Sequence, residues 1–438
     1  MAAAPQKSTS GRCFPAPEFP TDALAVILPP EQSIFRPSRF GPRCGLSGTR
    51  AARLARMLPW AMLALWAAAT PVFTATAATA ASRSGQPLLA AYVHIPSLFS
   101  VKDDIPSREQ KIAHALDRAR AAGLGAIMPY ANTSSGKSLY PSRLIPEQVY
   151  PGWDALGVVV REARRRGLAV YPAIATLISG HDRPAGILAV HQDWALRDRN
   201  DQRTGTISPA NPAARRWVVD VLLELVARYK PCGVLLDYLR FNNRPIRLDP
   251  DSAAQFARQY PDDRPTFGNE HFQAFKEAAL TELARKISLA LRRDEPRIKI
   301  AIYSWGAQVV SRHRIAQDWR TWAARGYVDM VNVSGYCYPA NYGKRYLDVF
   351  ARRMRDAVEI NRQLASPVEM TLCLGIATSH GKIRSADDID DYLRLARQAG
   401  MTGVVFFTLQ TLDPYLDAVV DRDLFRHLTG RSVEKPPR

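Results

Sequence analysis

The chain has 438 residues, with 47% hydrophobic and 23% charged side chains, the balance of a globular protein and not of a disordered one. Its formal charge is +18, of which residues 1–81 supply +5, and this favours anionic partners through long-range attraction. There is no glycine-rich phosphate cradle, no zinc-ligand spacing and no basic stripe interleaved with aromatics. Nucleic acid, a metal and a cofactor are therefore not expected, and electrostatic association with an anionic envelope is.

Residues 1–50 are rich in Pro, Ser and Gly and carry no sustained period, so disorder or a misplaced start codon is expected there. Arg50, Arg53 and Arg56 then precede an apolar run from Leu58 to Phe73, followed by Ala75-Thr76-Ala77 and Ala78-Thr79-Ala80. A basic flank, a short apolar core and an Ala-x-Ala site form a secretory signal. The expectation is a periplasmic or secreted protein cleaved near Ala77 to Ala80, with an uncleaved anchor as the alternative. The domain reading is residues 1–81 as disordered segment plus signal, 82–430 as one domain, and 431–438 as a tail. Of the cysteines beyond that segment, Cys232, Cys337 and Cys373 are read as buried free thiols.

From residue 88 onward, strand and helix patterns alternate. Strands are expected at Leu89–Ile95, Ala126–Tyr130, Ala169–Ile174, Gly233–Asp237, Lys299–Ser304, Met330–Ser334, Met370–Ile376 and Gly403–Thr408. The clearest helix follows Asn211-Pro212, where Trp217, Val218, Val221, Leu222, Leu225 and Val226 form one stripe of period 3.6. Glycines 123, 167, 326 and 400 end helices just before the next strand. Eight such units fit a (β/α)8 TIM barrel preceded by a disordered and signal-bearing N-terminus, with an open doubly wound sheet as the alternative. The longest loop is placed at Asn242 to Asn269, as a wall or lid.

The chemistry concentrates at Leu236-Asp237-Tyr238-Leu239-Arg240-Phe241. Alternation puts Asp237 on the same side as Leu235, at the C-terminal edge of the sheet, where such folds place their sites. The bland alternative is a surface ion pair between Asp237 and Arg240. An Arg240 that reaches Asp237 would lower its pKa and make it a nucleophile or base. Strand ends are rich in aromatics that can stack on the apolar faces of pyranose rings. Tyr130, Tyr238, Trp305 and Tyr336 are the substrate-binding candidates, with Arg240 and His94 beside them. Tyr171 and Phe407 are read as packing against neighbouring helices. A second carboxylate is harder to find: Asp329 and Glu369 fall at strand starts, leaving Asp103, Asp104, Asp182, Asp413 and, as first choice, Glu270.

Several stretches together resemble the bacterial family-10-like glycoside hydrolases, barrels related to the hydrolase domain of poly-N-acetylglucosamine-processing proteins. Ser138-Leu139-Tyr140-Pro141-Ser142 is similar to that family's "alYPS" segment, and Trp153 to Leu156 with Glu162 to Leu168 to its "fDpL…eeAhkRGL" helix. Leu236 to Phe241 resembles "lDYiRYP", Val328 to Asn332 with Tyr336 "vDfinpQiY", and Gly403 to Leu409 "GvvfFsl". The resemblance spans residues 88–412. It implies an exported glycoside hydrolase acting on a polysaccharide, with Asp237 catalytic and Tyr238 and Arg240 as neighbours. It departs from the family pattern at Tyr171-Pro172, Cys232 and Val333-Ser334-Gly335, changes that alter sugar specificity or mark an inactive relative. The missing second carboxylate leaves a non-catalytic carbohydrate-binding barrel as the alternative, and a structural envelope protein held by charge is a third reading.

Overall fold

A computed structural model describes residues 87–430, all within one compact unit; the signal segment and the tail lie outside them. Eight parallel strands form the centre: β1 (Leu88–Val93), β2 (Ala126–Pro129), β3 (Ala169–Val170 and Ala173–Ala175), β4 (Gly233–Asp237), β5 (Lys299–Ser304), β6 (Met330–Ser334), β7 (Glu369–Gly375) and β8 (Gly403–Phe407). β8 pairs back onto β1, with Leu88 opposite Gly403, so the sheet runs in chain order and closes. The expected barrel is therefore the observed architecture, with strand bounds that shift by one or two residues at the ends.

β3 is the irregular member. Pro172 lacks an N–H and interrupts the strand, so its first half is registered with β2 and its second half with β4. Backbone bonds bridge the break: Tyr171 N–H reaches Ile127 O at 3.0 Å, and Leu235 N–H reaches Pro172 O at 3.0 Å.

The two faces of the strands separate by the period of two. Leu89, Val93, Ile127, Val234, Leu236, Ile300, Val331, Leu372 and Phe406 face the helices. The interior takes Ala90, Ala126, Ala169, Ala173 and Ala301, whose small side chains leave room for Tyr92, Met128, Tyr171, Leu235 and Met330. Tyr171 thus packs inside the barrel, not against a helix. Its hydroxyl is held above its usual pKa chiefly by burial, with the Cys232 thiol and the Glu369 and Asp329 carboxylates at the strand starts as neighbours that add to the shift. Phe407 also faces inward, edge-on to Tyr92 at 5.2 Å between ring centres.

The main helices are α1 (Ile105–Ala121), α2 (Ala155–Arg165), α3 (Pro212–Tyr229), α4 (Pro250–Gln259), α5 (Glu270–Asp294), α6 (Trp319–Ala324), α7 (Tyr346–Arg362) and α8 (Ala386–Ala399). They do not follow the strands one for one. A hairpin (Ala195–Arg197 with Arg203–Ile207) precedes α3, α4 is an insertion inside the segment read as a loop, and only short helical turns follow β8. The Tyr140-Pro141-Ser142 segment has a structural role: the Tyr140 hydroxyl, the Ser142 hydroxyl and the Arg143 N–H all donate to Glu224 of α3. Asp154 caps α2 by accepting from Gly157 N–H at 2.8 Å and also accepts from the Tyr229 hydroxyl at 2.7 Å. Of the three described thiols, Cys337 and Cys373 are buried as expected, but Cys232 is exposed, because it sits in the turn before β4 and not on the strand.

Asn211 ties α3 to the insertion. Its Oδ1 accepts from the N–H groups of Ala213 and Ala214, and its amide donates to Asp249 at 3.0 Å and Asp251 at 3.4 Å. Asp249 is fully buried, and its Oδ2 has no hydrogen-bond partner. Asn211→Ala removes a helix cap and one of Asp249's donors, so it should cost about 2–3 kcal/mol in urea unfolding. A loss near zero would mean that the cap is dispensable.

Candidate active site

Asp237 ends β4 on the inner face, two residues beyond Leu235, and is 9% exposed. The Tyr130 hydroxyl at the end of β2 donates to its Oδ2 at 2.5 Å, and the Tyr238 N–H donates to its Oδ1 at 2.8 Å. Tyr238 adopts the left-handed conformation (φ 54°), sparsely used by bulky residues, and the chain folds back there, with Arg240 N–H reaching Tyr238 O at 2.8 Å.

The Arg240 guanidinium lies between the Tyr238 and Trp305 rings, 5.2 and 5.1 Å from their centres. It donates to Phe241 O at 3.2 Å. No ion pair links it to Asp237 among the described residues, so the surface-pair alternative falls. Its charge does favour the ionised carboxylate, as do Tyr130 and the Tyr238 N–H, but burial outweighs all three and holds Asp237 above the usual carboxylate range. The expected downward shift is reversed for that reason, in the direction that a general acid requires.

Around this carboxyl stands a wall of rings. Tyr92 stacks on Tyr130 at 5.6 Å, and Tyr336 lies 6.1 Å from both Tyr303 and Phe407. Asn332 donates to the Tyr92 hydroxyl and accepts from Thr371, while the Tyr336 hydroxyl lies 3.6 Å from Cys373 Sγ. Burial pushes the Tyr92, Tyr130 and Tyr336 phenols well above their usual pKa and the Cys373 thiol up to about 12, so all remain protonated hydrogen-bonding groups at neutral pH. Tyr92, Asn332 and Cys373 were missed in the sequence reading, although the inward alternation of β1, β6 and β7 carried the signal.

Asp237, Tyr238, Arg240, Tyr130 and Trp305 are thus brought together, and Tyr336 joins them through the ring wall. His94 and Glu270 are not in contact with this group. His94 is exposed at the end of β1, with Nδ1 2.6 Å from Ser97 Oγ. Glu270 opens α5 with its side chain 79% exposed, 3.4 Å from Arg312. The other acids are also engaged elsewhere: Asp103 with Lys111, Asp104 capping α1, Asp182 with Arg244, and Asp413 with Arg118. Among the described residues, no second carboxylate takes part in setting the charge of Asp237, and no group of three His, Cys, Asp or Glu side chains is placed to hold a metal ion.

Gln317 braces the mouth from behind. Its amide donates to Tyr303 O at 2.9 Å and Leu239 O at 3.2 Å, joining the exits of β5 and β4 on which Trp305 and Arg240 stand. This residue also went unnoticed in the sequence, because nothing local marks an amide that bridges two strands.

The sequence matches the family described as glycosyl hydrolase-like 10 over residues 93–391. It is 22% identical over 314 residues to glycosyl hydrolase DigH of Escherichia coli O6:H1 and to its counterpart in Shigella flexneri, covering 62% of this chain and 66% of those proteins. The chain thus spans just under two thirds of the length of these relatives. Among solved structures, the glycoside hydrolase domain of PgaB (BpsB) from Bordetella bronchiseptica superposes with a TM-score of 0.56 at 12% identity, over 77% of this chain and 98% of that one. The catalytic domain of a Paenibacillus polymyxa beta-amylase gives 0.53 at 11% identity, over 77% and 99%. At these identities the structural likeness speaks to the fold alone.

Tyr130→Phe removes a hydrogen bond that favours ionised Asp237. The midpoint of the Asp237 carboxyl titration, followed by carbon NMR, should therefore rise above that of the wild type; an unchanged or lower midpoint would contradict the assignment. The stability consequence has a definite sign. A raised folded-state pKa means that the contribution of Asp237 is fully present below the ordinary carboxyl range near about 4 and is lost as pH rises through the folded value. Asp237→Asn should then be more stable than wild type at pH 7, with the advantage shrinking on acidification, as measured by thermal melts across that window.

Proposed function

The chain belongs to the glycosyl hydrolase-like 10 family; from this premise we propose that it is an exported glycosidase that cleaves a bacterial or environmental polysaccharide, with Asp237 as its key carboxylate. The observation that carries this reading is a buried carboxyl, biased toward its protonated form, at the C-terminal end of a barrel strand and surrounded by phenols.

Asp237 protonates the glycosidic oxygen as its bond to the anomeric carbon breaks, a solvent water adds its oxygen to that carbon, and the proton the water sheds returns through solvent to restore the acid form of Asp237. Tyr130 and the Tyr238 N–H then hold the carboxylate that remains, so the charge left after proton transfer is met by two donors already in place. Arg240, fixed between Tyr238 and Trp305, presents donors to substrate hydroxyls or to a charged substituent, and the rings of Trp305 and Tyr336 offer faces for pyranose C–H groups. The positive charge of the chain favours a neutral or acidic glycan over a cationic one.

A second reading, a barrel that binds sugar without cleaving it, is favoured by the lack of a second carboxylate beside Asp237 among the described residues. One assay separates the two. Protein beginning near residue 82 is incubated with a panel of polysaccharides, and reducing ends are counted for wild type and Asp237→Asn. The hydrolase reading expects release by the wild type and a loss of about a thousandfold in the variant. Retention on a glycan column that the substitution does not alter, without turnover, would support the binding module instead. For export, the expected mature N-terminus lies just beyond Ala77 to Ala80, read by N-terminal sequencing of secreted protein.

A further inference from the structure

A cavity of about 410 Å³ lies outside the residues that touch Asp237. Its walls come from the segment leading into α5, with Phe267, from the first turns of α5, with Glu270 and Gln273, and from the β5–α6 connection, with Arg312 and Arg314. Both connections leave the C-terminal ends of barrel strands, so the cavity opens on the same face as the active site.

Side chains link the two places. The Arg240 guanidinium stands over Trp305, the Trp305 ring meets His313 edge-on at 5.9 Å between centres, and Arg314 Nε donates to Asn243 Oδ1 at 2.6 Å, three residues beyond Arg240. The route from carboxyl to cavity is thus a line of aromatic and polar groups along one rim.

The lining suits a sugar ring. Phe267 lines the cavity and is 63% exposed, so its ring is open to stack on the apolar face of a pyranose. Glu270 and Arg312, 3.4 Å apart and both largely exposed, set an acceptor beside a donor, the pairing that vicinal hydroxyls satisfy. Glu277 is held by Gln273 at 2.8 Å and by the Arg312 N–H at 2.9 Å, and Lys276 Nζ donates to Arg314 O at 2.9 Å, so the floor is fixed. The lining holds Glu270 and Glu277 beside Lys276, Arg312 and Arg314, so charges of both signs face the cavity and neither sign of ligand charge is met alone.

We propose that this cavity is a second carbohydrate subsite, taking a neutral pyranose unit of the same glycan that is cleaved at Asp237. The proposal rests on the glycosidase reading and explains the position of Glu270: it serves binding away from the chemistry and is not the partner acid. A chain long enough to reach both places gains contacts that a disaccharide lacks.

The test uses the protein from residue 82 with cello-oligosaccharides and N-acetylated chito-oligosaccharides, from disaccharide to octasaccharide, as probes in calorimetric titration. For at least one series, wild type should bind the longest member more tightly than the disaccharide, and Phe267→Ala and Glu270→Ala should each weaken that binding by about tenfold. Both positions are on the surface, and circular dichroism confirms that the variants fold. Affinity independent of length, affinity unmoved by both substitutions, or no binding of either series by wild type overturns the subsite. The glycosidase reading fails separately, when the polysaccharide panel gives no turnover or when Asp237→Asn leaves turnover intact; length-dependent binding lost in Phe267→Ala can persist in that case.

Discussion

The hydrogen bond from the Tyr130 hydroxyl to Asp237 is the contact on which the rest of the mouth depends. A carboxyl inside a barrel must be neutral or well solvated by donors, because an unpaired buried charge costs several kcal/mol. Tyr130 and the backbone of Tyr238 supply those donors from two different strands, so the charge state of one acid is coupled to the closure of the sheet. Burial still dominates, and the acid rests on the protonated side of its ordinary behaviour.

The alanine-rich interior makes this arrangement possible. Five alanines on β1, β2, β3 and β5 remove volume from the barrel centre, and tyrosines from β1, β2, β5 and the β6 exit fill it with rings whose hydroxyls find partners. A core of branched aliphatic residues would pack as densely but could not hold a carboxyl. Gln317 then sets the outer rim by holding two carbonyls at once, which fixes the distance between the Arg240 and Trp305 segments. Stability and site preparation are here the same contacts.

Much of this was legible in the sequence because it follows from short periods. Alternation alone places Asp237 beside Leu235, and the apolar runs plus terminal glycines give eight strands in order. The helix bounds around Asn211-Pro212 are equally local. What escaped depends on long-range closure. The depression expected of Asp237 counted the guanidinium, which does act in that direction, but not the burial of the closed barrel, which outweighs it; Arg240 itself turns onto two rings beyond the left-handed residue Tyr238. Glu270 was chosen for its place after a long insertion, but the direction of a side chain at the first turn of a helix is not written in its neighbours. Gln317 and Asn332 act between strands far apart in the chain, and no local pattern marks such residues.

The pairing of β8 with β1 has a consequence for how the polypeptide reaches its native state. Residues 88–93 leave the ribosome long before residues 403–407, so one flank of the first strand stays unsatisfied until almost the whole domain has been made. Until then it offers an apolar, hydrogen-bond-hungry edge to any neighbouring chain. Keeping that edge covered until the last strand arrives is the cost of sealing a ring with its last piece.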